Sequence, residues 1–199
     1  MNGLNSSSGL GTAATAAAPA RSPPSPHAPD WSREAKAFWA WDPSRSLLAS
    51  LRTYQRVRHS ARPDHVLRRW LAVLRHRFWS VVTGADVPLV CRIDGGLLMP
   101  HPNGIVVHPD ARIGPNCLLM QQVTLGTGGP LTGAPILVGH VDIGAGAKVL
   151  GGVTLGAHAQ VGANAVVLRD VPTERTAVGI PARIVEPAAI ALGTQDAAP

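Results

Sequence analysis

The chain has 199 residues, a formal net charge of +6 and two cysteines. This length fits one or two domains with enough material for a sizeable core. No apolar run approaches the roughly 18 residues that span a bilayer, and two cysteines cannot make a disulfide framework. These features exclude a membrane-spanning protein and a disulfide-stapled secreted domain, and they predict a reduced, cytoplasmic protein.

Residues 1–30 are rich in Ala, Ser, Pro and Gly and hold few large apolar side chains. Such a composition offers little burial to offset the entropy of ordering, so we expect a disordered tail. The segment also lacks the basic start and the Leu-rich core of a secretory signal peptide.

Residues 31–82 predict two helices and hold most of the positive charge, with eleven Lys or Arg against three acids. Apolar side chains recur there at three- and four-residue spacing. They are Leu47, Leu48, Leu51 and Tyr54, and then Val66, Leu67, Trp70, Leu71, Leu74, Phe78 and Trp79. The pair Arg62–Pro63 followed by Asp64 predicts a break between the helices and a new N-cap.

The second predicted helix interleaves aromatic residues with four arginines, Arg68, Arg69, Arg75 and Arg77. The pattern is typical of an amphipathic helix that packs on the rest of the chain or on another subunit, with its arginines in solvent. It also fits an anionic membrane surface or nucleic acid. We favour the packed helix, and we expect no nucleic-acid partner.

From residue 107 to residue 171, aliphatic side chains recur every six positions. They are Val107, Ile113, Leu119, Leu125, Leu137, Ile143, Val149, Leu155, Val161 and Val167. A period of six fits neither a helix nor a half-buried strand, but it fits a solenoid in which three hexads close one triangular coil. We therefore predict a mainly β protein in which residues 83–186 form a parallel β-helix, followed by a tail at 187–199.

A second inward position follows four residues after most of these side chains. Cys91 and Cys117 both occupy it, so we expect them to pack in the core as small apolar residues and not to serve as catalytic thiols.

Two irregularities interrupt the hexads. The step from Ile93 to Val107 is fourteen residues where two hexads take twelve, so two residues must bulge out, and His101 lies in that bulge. The second irregularity is a glycine-rich loop between Gly126 and Ile136. Insertions in a solenoid map to one face and often carry the function.

His101 is the candidate general base. Asp86 lies fifteen residues earlier, nearly one coil away, so the two side chains should come close together. A carboxylate that holds one imidazole nitrogen leaves the other as a base near neutral pH, although spacing alone leaves a structural role for His101 open. His140 and His158 fall at outward turn positions and are expected to face solvent.

Residues 86–186 resemble the catalytic domain of serine acetyltransferases, which belong to the hexapeptide-repeat acyltransferases. The similar stretches are DVPLVCRIDGGLLMPHPNGIVVHPDARIGPNCLLMQQVTLG, DIGAGAKVLGGVTLG, GANAVVLRDVP and AVGIPARIV. The resemblance implies a left-handed β-helix, acetyl-CoA as acetyl donor, no metal, and a homotrimer that could pair into a hexamer. It also places the family's catalytic pair on Asp86 and His101, with Gly104 closing the bulge.

The resemblance further implies that His101 deprotonates an acceptor hydroxyl, which attacks the thioester, while Asp86 fixes the imidazole tautomer. The family binds CoA in the groove between neighbouring β-helices. Its positions on the CoA side fall here on Gly126, Thr127, Gly128, Gly144, Ala145, Lys148, Gly162, Ala163 and Arg183.

The chain departs from the family at two supports for the amino acid. Pro100 stands where the family has Asp before the catalytic His, and Gly133-Ala134-Pro135 replaces Arg-His-Pro in the long loop. Charged groups bind poorly where desolvation is not compensated, so we expect a saccharide or another non-amino-acid hydroxyl as acceptor, with L-serine as the alternative. The helical segment is also shorter than the family's, and the tail lacks the terminal Ile that such enzymes insert into a sulfhydrylase.

Two further functions are weaker alternatives. A trimeric zinc hydratase of the gamma carbonic anhydrase type would draw its ligands from His101, His108 and His140, but the close downstream His pair of that family is missing. A purely structural solenoid would leave the bulge at His101 unexplained.

Overall fold

The computed structural model describes residues 24–37 and 39–185. A short 3-10 helix (Trp31–Glu34) precedes two α-helices, α1 (Pro43–Val57) and α2 (Pro63–Thr83). Short strands make up the rest. They are β1 (Arg92–Ile93), β2 (Val106–Val107), β3 (Arg112–Ile113), β4 (Leu118–Leu119), β5 (Thr124–Gly126), β6 (Ile136–Leu137), β7 (Asp142–Ile143), β8 (Lys148–Leu150), β9 (Thr154–Leu155), β10 (Gln160–Val161), β11 (Val166–Val167), β12 (Thr176–Val178) and β13 (Arg183–Val185).

The strands form the three faces of a triangular prism. Face 1 has the order β1-β3-β6-β9, face 2 has β13-β12-β10-β7-β4, and face 3 has β11-β8-β5-β2. Neighbouring strands pair in parallel, except that β13 turns back against β12. This is the mainly β, left-handed parallel β-helix that the hexads and the resemblance predict.

The register of the strands shows where the chain inserts residues. A regular coil takes eighteen residues, as from Val107 to its neighbour Leu125. The coil from Ile93 to Ile113 takes twenty, and the coil from Leu125 to Val149 takes twenty-four. The two insertions are the bulge around His101 and the glycine-rich loop, so both predicted irregularities are confirmed.

The interior of the prism is a stack of aliphatic side chains. All ten residues of the six-step series are at most 3% exposed, and so are Val87 and Met99 of the first coil. Cys91 and Cys117 are also fully buried, and burial raises the pKa of each thiol to about 12. Neither thiol ionises near neutral pH, which agrees with the predicted packing role.

Residues 24–34, here called the N-terminal strap, bind along the prism edge between faces 1 and 2. Asn116 stands at a corner of that edge with φ 60°. Its side-chain oxygen accepts from the backbone N–H of Asp30 at 2.8 Å, and its amide donates to the carbonyls of Ser25 and Ala28. Part of the segment that we expected to be disordered is therefore held on the β-helix, while residues 1–23 and 186–199 lie outside the described residues.

The first helix packs on the prism, with Leu47, Leu48 and Leu51 buried in the common core. The second helix packs on α1, but its leucines and Phe78 remain exposed. The apolar face of α2 therefore does not pack on the rest of its own chain, which was the first of the two placements that we expected.

The predicted N-cap of α2 needs a correction. Arg62 occupies the N-cap position, Pro63 begins the helix and Asp64 lies in the first turn. Proline is favoured at the first helical position because its missing N–H needs no partner there. In the part of the chain that the structure describes, neither helix is long and apolar enough to cross a membrane.

Candidate functional site

His101 lies outside the prism, on the edge between faces 2 and 3. Its neighbours Met99 and Ile105 are buried, whereas the His101 side chain is exposed. Gly104 closes the bulge with φ 70°, and its N–H donates to the carbonyl of Gly84 at 2.9 Å. A left-handed φ favours glycine because it has no Cβ. The imidazole is thus held outside the core, as a base that meets a substrate must be.

Asp86 begins the same coil on face 3. Its N–H donates to the carbonyl of Ile105 and its own carbonyl accepts from Val107, so its backbone lies beside the end of the bulge. Both Asp86 and His101 are exposed. The two side chains, both within the described residues, make neither a hydrogen bond nor an ion pair with each other. The backbone of Asp86 thus lies beside the bulge of His101, but the expected contact between the two side chains is not formed in the single subunit.

Sequence reasoning missed Asp42, which lies in the same cleft as His101. The cleft has a volume of about 370 Å³ and is lined by Asp42, Pro43, Ser44, Val82, Thr83, Pro100, His101, Pro102 and Asn103. Asp42 is the N-cap of α1, and its Oδ1 accepts from the Arg45 N–H at 3.0 Å. The signal was present as an Asp-Pro start of a helix, but nothing in the spacing links residue 42 to residue 101.

Four of the nine residues expected on the CoA side lie on the edge that carries His101, and two more lie next to it. Gly144 and Ala145 form its turn after β7, Gly162 and Ala163 form its turn after β10, and Lys148 follows at the start of face 3. Arg183 pairs with Val178 beside the last turn of that edge. The row of turns begins at the bulge, and four spacings of about 4.8 Å between stacked strands give it a length of roughly 19 Å.

The structure gives a different reason for two of the glycines. A Cβ on Gly144 would lie 2.7 Å from the backbone nitrogen of Ala163, and one on Gly162 would lie 2.8 Å from a Val178 methyl group. The close approach comes from the next coil of the same chain. We expected small residues here so that a ligand could approach the main chain, but coil stacking already requires them.

Lys148 points back along this edge towards the bulge. Its Nζ donates to the carbonyl of Gln122 at 2.6 Å, and the Gln122 N–H in turn donates to the carbonyl of Asn103. The ammonium group is therefore placed at the coil next to the bulge of His101, within the row of turns.

Gly126, Thr127 and Gly128 lie elsewhere, on the edge between faces 3 and 1, where the glycine-rich loop leaves β5. The loop folds over the next coil, because the Gly152 N–H donates to the carbonyl of Leu131 at 3.1 Å. One chain thus brings His101 together with the residues of its own edge but not with residues 126–128.

The remaining histidines lie on other edges. His140 and His158 occupy left-handed corners between faces 1 and 2, and their Nδ1 atoms lie 2.8 Å apart. Both rings are partly buried and contact each other, whereas we expected both to face solvent. Burial lowers the pKa of His140. His108 lies on the edge between faces 3 and 1, where its Nδ1 accepts from the Asp110 N–H at 3.2 Å.

Metal ligation finds no support in the described residues, where no group of three or more His, Cys, Asp or Glu side chains could hold an ion. The ligand candidates of a zinc hydratase, His101, His108 and His140, lie on three different edges of the prism. One subunit therefore does not bring them together.

No family model matches the chain. A serine acetyltransferase of Synechococcus elongatus is 39% identical over 107 residues, which cover 53% of this chain and 44% of that protein. Serine acetyltransferase 5 of Arabidopsis thaliana is 44% identical over 125 residues, which cover 59% of this chain and 38% of the relative. The chain thus spans less than half the length of these curated relatives.

Solved structures give the same similarity. The soybean serine acetyltransferase apoenzyme superposes with a TM-score of 0.61 at 38% identity, over 72% of this chain and 57% of the soybean chain. A serine acetyltransferase in complex with CoA superposes with a TM-score of 0.60 at 34% identity, over 73% of this chain and 58% of the other.

Proposed function

We propose that this chain, a serine acetyltransferase-like member of the hexapeptide-repeat acyltransferases, is an acetyl-CoA-dependent O-acetyltransferase. The observation that supports this most is the placement of His101. The only disruption of the first coil carries an exposed imidazole into a cleft, at one end of the row of turns that is proposed to face CoA. The similarity to serine acetyltransferases, one of them in complex with CoA, supplies the donor.

The proposed reaction is a direct transfer. His101 accepts the proton of the acceptor hydroxyl while the oxygen attacks the thioester carbon. As the tetrahedral intermediate collapses, the C–S bond breaks, and the imidazolium returns its proton to the CoA thiolate. Asp86 is proposed to orient the imidazole after a side-chain rotation, because catalytic hydrogen bonds are often long or misaligned before substrate binds.

We further propose a homotrimer, and the positions of the two insertions support contact between neighbouring chains. The bulge of His101 is on the edge between faces 2 and 3, and the loop at residues 127–135 is on the edge between faces 3 and 1. A site that uses both insertions needs two chains with their prism axes side by side. Residues 126–128 would then meet CoA from the subunit next to the one that supplies His101, Gly144 and Lys148.

L-serine is the first acceptor that we propose, against our expectation from the sequence. The relatives and structural neighbours are serine acetyltransferases, one of them complexed with serine. The cleft also holds a carboxylate that the sequence did not reveal, because Asp42 lines it together with His101. A carboxylate there can offset the desolvation of an ammonium group.

A saccharide hydroxyl is the second candidate acceptor. Pro100 stands beside His101 without a charge, and the loop residues Gly133, Ala134 and Pro135 offer no charged side chain to an α-carboxylate. An amino acid bound there would leave its carboxylate poorly compensated.

Acceptor assays separate these functions. CoA release is measured with acetyl-CoA and either L-serine or a panel of hexoses and amino sugars. A kcat/KM for L-serine at least tenfold above that of the best sugar supports serine, and the reverse ratio supports a saccharide. No CoA release with any acceptor contradicts the acetyltransferase. Asp42→Asn, which keeps the N-cap, should raise the KM for L-serine severalfold and leave sugar turnover unchanged.

A further inference from the structure

The outward side of α2 carries an unpartnered apolar stripe, here called the α2 stripe. It consists of Leu67, Trp70, Leu71, Leu74, Phe78 and Val81, all of which are at least half exposed. At 3.6 residues per turn these side chains fall within an arc of roughly 100°. An arc of that width is the usual size of a buried helix face, yet this one has no partner within the subunit.

The other side of the helix already packs against the chain. Ala72, His76 and Thr83 are buried on the side opposite the stripe, and His76 contacts the Ser50 hydroxyl of α1 at 3.2 Å. One side of the helix is thus packed within the subunit, and the apolar stripe on the other side is not. An exposed apolar patch of this kind marks an interaction surface.

Arginines border the stripe on both sides. Arg68 and Arg75 follow it along one flank and Arg77 along the other, as the helical period requires. Asp64 is the one carboxylate on the helix, in its first turn. Within residues 24–37 and 39–185, neither Arg75 nor Arg77 has an ion pair.

This charge pattern decides between partners. A second copy of α2 would bring the same arginines to the interface and only Asp64 to meet them, so most of their desolvation would go uncompensated. An anionic lipid surface accepts both features, because phosphate groups pair with arginines while the acyl boundary takes up the apolar side chains.

Exposed tryptophans extend the surface towards the C-terminal end of α2. Trp39 and Trp41 are 87% and 76% exposed, and the ring of Trp41 lies 5.6 Å from that of Trp79. Tryptophan is enriched at membrane–water interfaces because its ring is apolar and its N–H is polar. Residues this exposed contribute little to the fold of the subunit.

We propose that the α2 stripe and its flanking arginines dock the protein on an anionic phospholipid surface. The helix lies in the plane of the headgroups, with Leu71, Leu74 and Phe78 inserted and Arg68, Arg75 and Arg77 among the phosphates. This inference is independent of the acetyl transfer, because it uses none of the residues placed at the reaction.

Vesicle flotation of the full chain tests the proposal. Vesicles of phosphatidylcholine with phosphatidylglycerol are compared with vesicles of phosphatidylcholine alone, at low salt and at high salt. We expect at least tenfold stronger binding to the anionic vesicles. High salt should weaken this binding because it screens the attraction between the arginines and the lipid phosphates. Equal binding to both kinds of vesicle, or no binding to either, overturns the proposal.

Three variants separate the contributions. Leu74→Gln/Phe78→Gln removes part of the stripe, and Arg68→Gln/Arg75→Gln/Arg77→Gln removes its charge; each should lower binding at least tenfold. Val90→Gln is the control, since Val90 is 56% exposed, as Leu74 and Phe78 are at 58% and 57%, but lies off the helix. Light scattering gives the size of each assembly. A smaller assembly for the Leu74→Gln/Phe78→Gln variant means that another copy covers the stripe, and it contradicts lipid docking.

Discussion

Arg52 of α1 and Glu34 of the N-terminal strap form a buried ion pair, with 2.8 Å between Arg52 Nη2 and Glu34 Oε1. The pair joins three parts of the molecule. Arg52 also donates to the carbonyls of Ile93 and Asp94 in the first coil, and Glu34 accepts from the backbone N–H groups of Gly96 and Leu97. The helices therefore sit on the β-helix through a charged contact as well as through leucines.

Removing one partner of this pair should destabilise the protein strongly. Glu34→Ala leaves the Arg52 guanidinium buried without its anion, and the loss expected is about 3–5 kcal/mol. Urea unfolding followed by circular dichroism measures it. Arg62→Ala is the matched control, because Arg62 pairs with Asp64 at 3.3 Å on the surface and should cost less than about 1 kcal/mol. Equal effects of the two variants would show that the buried pair does not hold the helices in place.

Lower pH should loosen the contact between the helices. Burial lowers the pKa of His76, so the folded state prefers the neutral ring and the unfolded chain takes up the proton first. The contribution of His76 is therefore present above its unfolded pKa of about 6.5 and is lost as the pH falls below it. Wild type should lose more stability between pH 7.5 and pH 5.5 than His76→Gln. A wild-type loss no larger than that of the variant would contradict the assignment.

Two glycines expected on the CoA side should respond differently to a methyl group. A Cβ on Gly144 meets the backbone of the next coil, whereas one on Gly126 finds its nearest atom at 3.4 Å. Gly144→Ala should lower the free energy of unfolding by at least about 2 kcal/mol, and Gly126→Ala should change it by less than about 0.5 kcal/mol. Thermal melts of both variants provide the comparison. A stable Gly144→Ala protein with a raised KM for acetyl-CoA would instead favour ligand contact as the reason for this glycine.

The sequence predicted the parts of the structure that repeat. A six-residue period identifies the inward side chains one by one, and a departure from that period locates the bulge of His101 without any contact being known. Contacts between distant, non-repeating segments leave no such signal. Arg52 reaches carbonyls of the first coil across some forty residues, and Asn116 holds the strap from more than eighty residues away. For the same reason Asp42 could not be placed in the cleft of His101, although the bulge marked His101 itself.

The most direct test of the account is the rate of CoA release by His101→Ala, measured with the acceptor that the wild-type protein turns over best. General-base catalysis contributes about 10²–10⁴-fold to rate, so kcat should fall by that factor while the KM for acetyl-CoA stays within about threefold. His158→Ala, at a histidine on the edge between faces 1 and 2, should keep the wild-type rate. A His101→Ala protein that retains its kcat would contradict the proposal that this exposed imidazole removes the acceptor's proton.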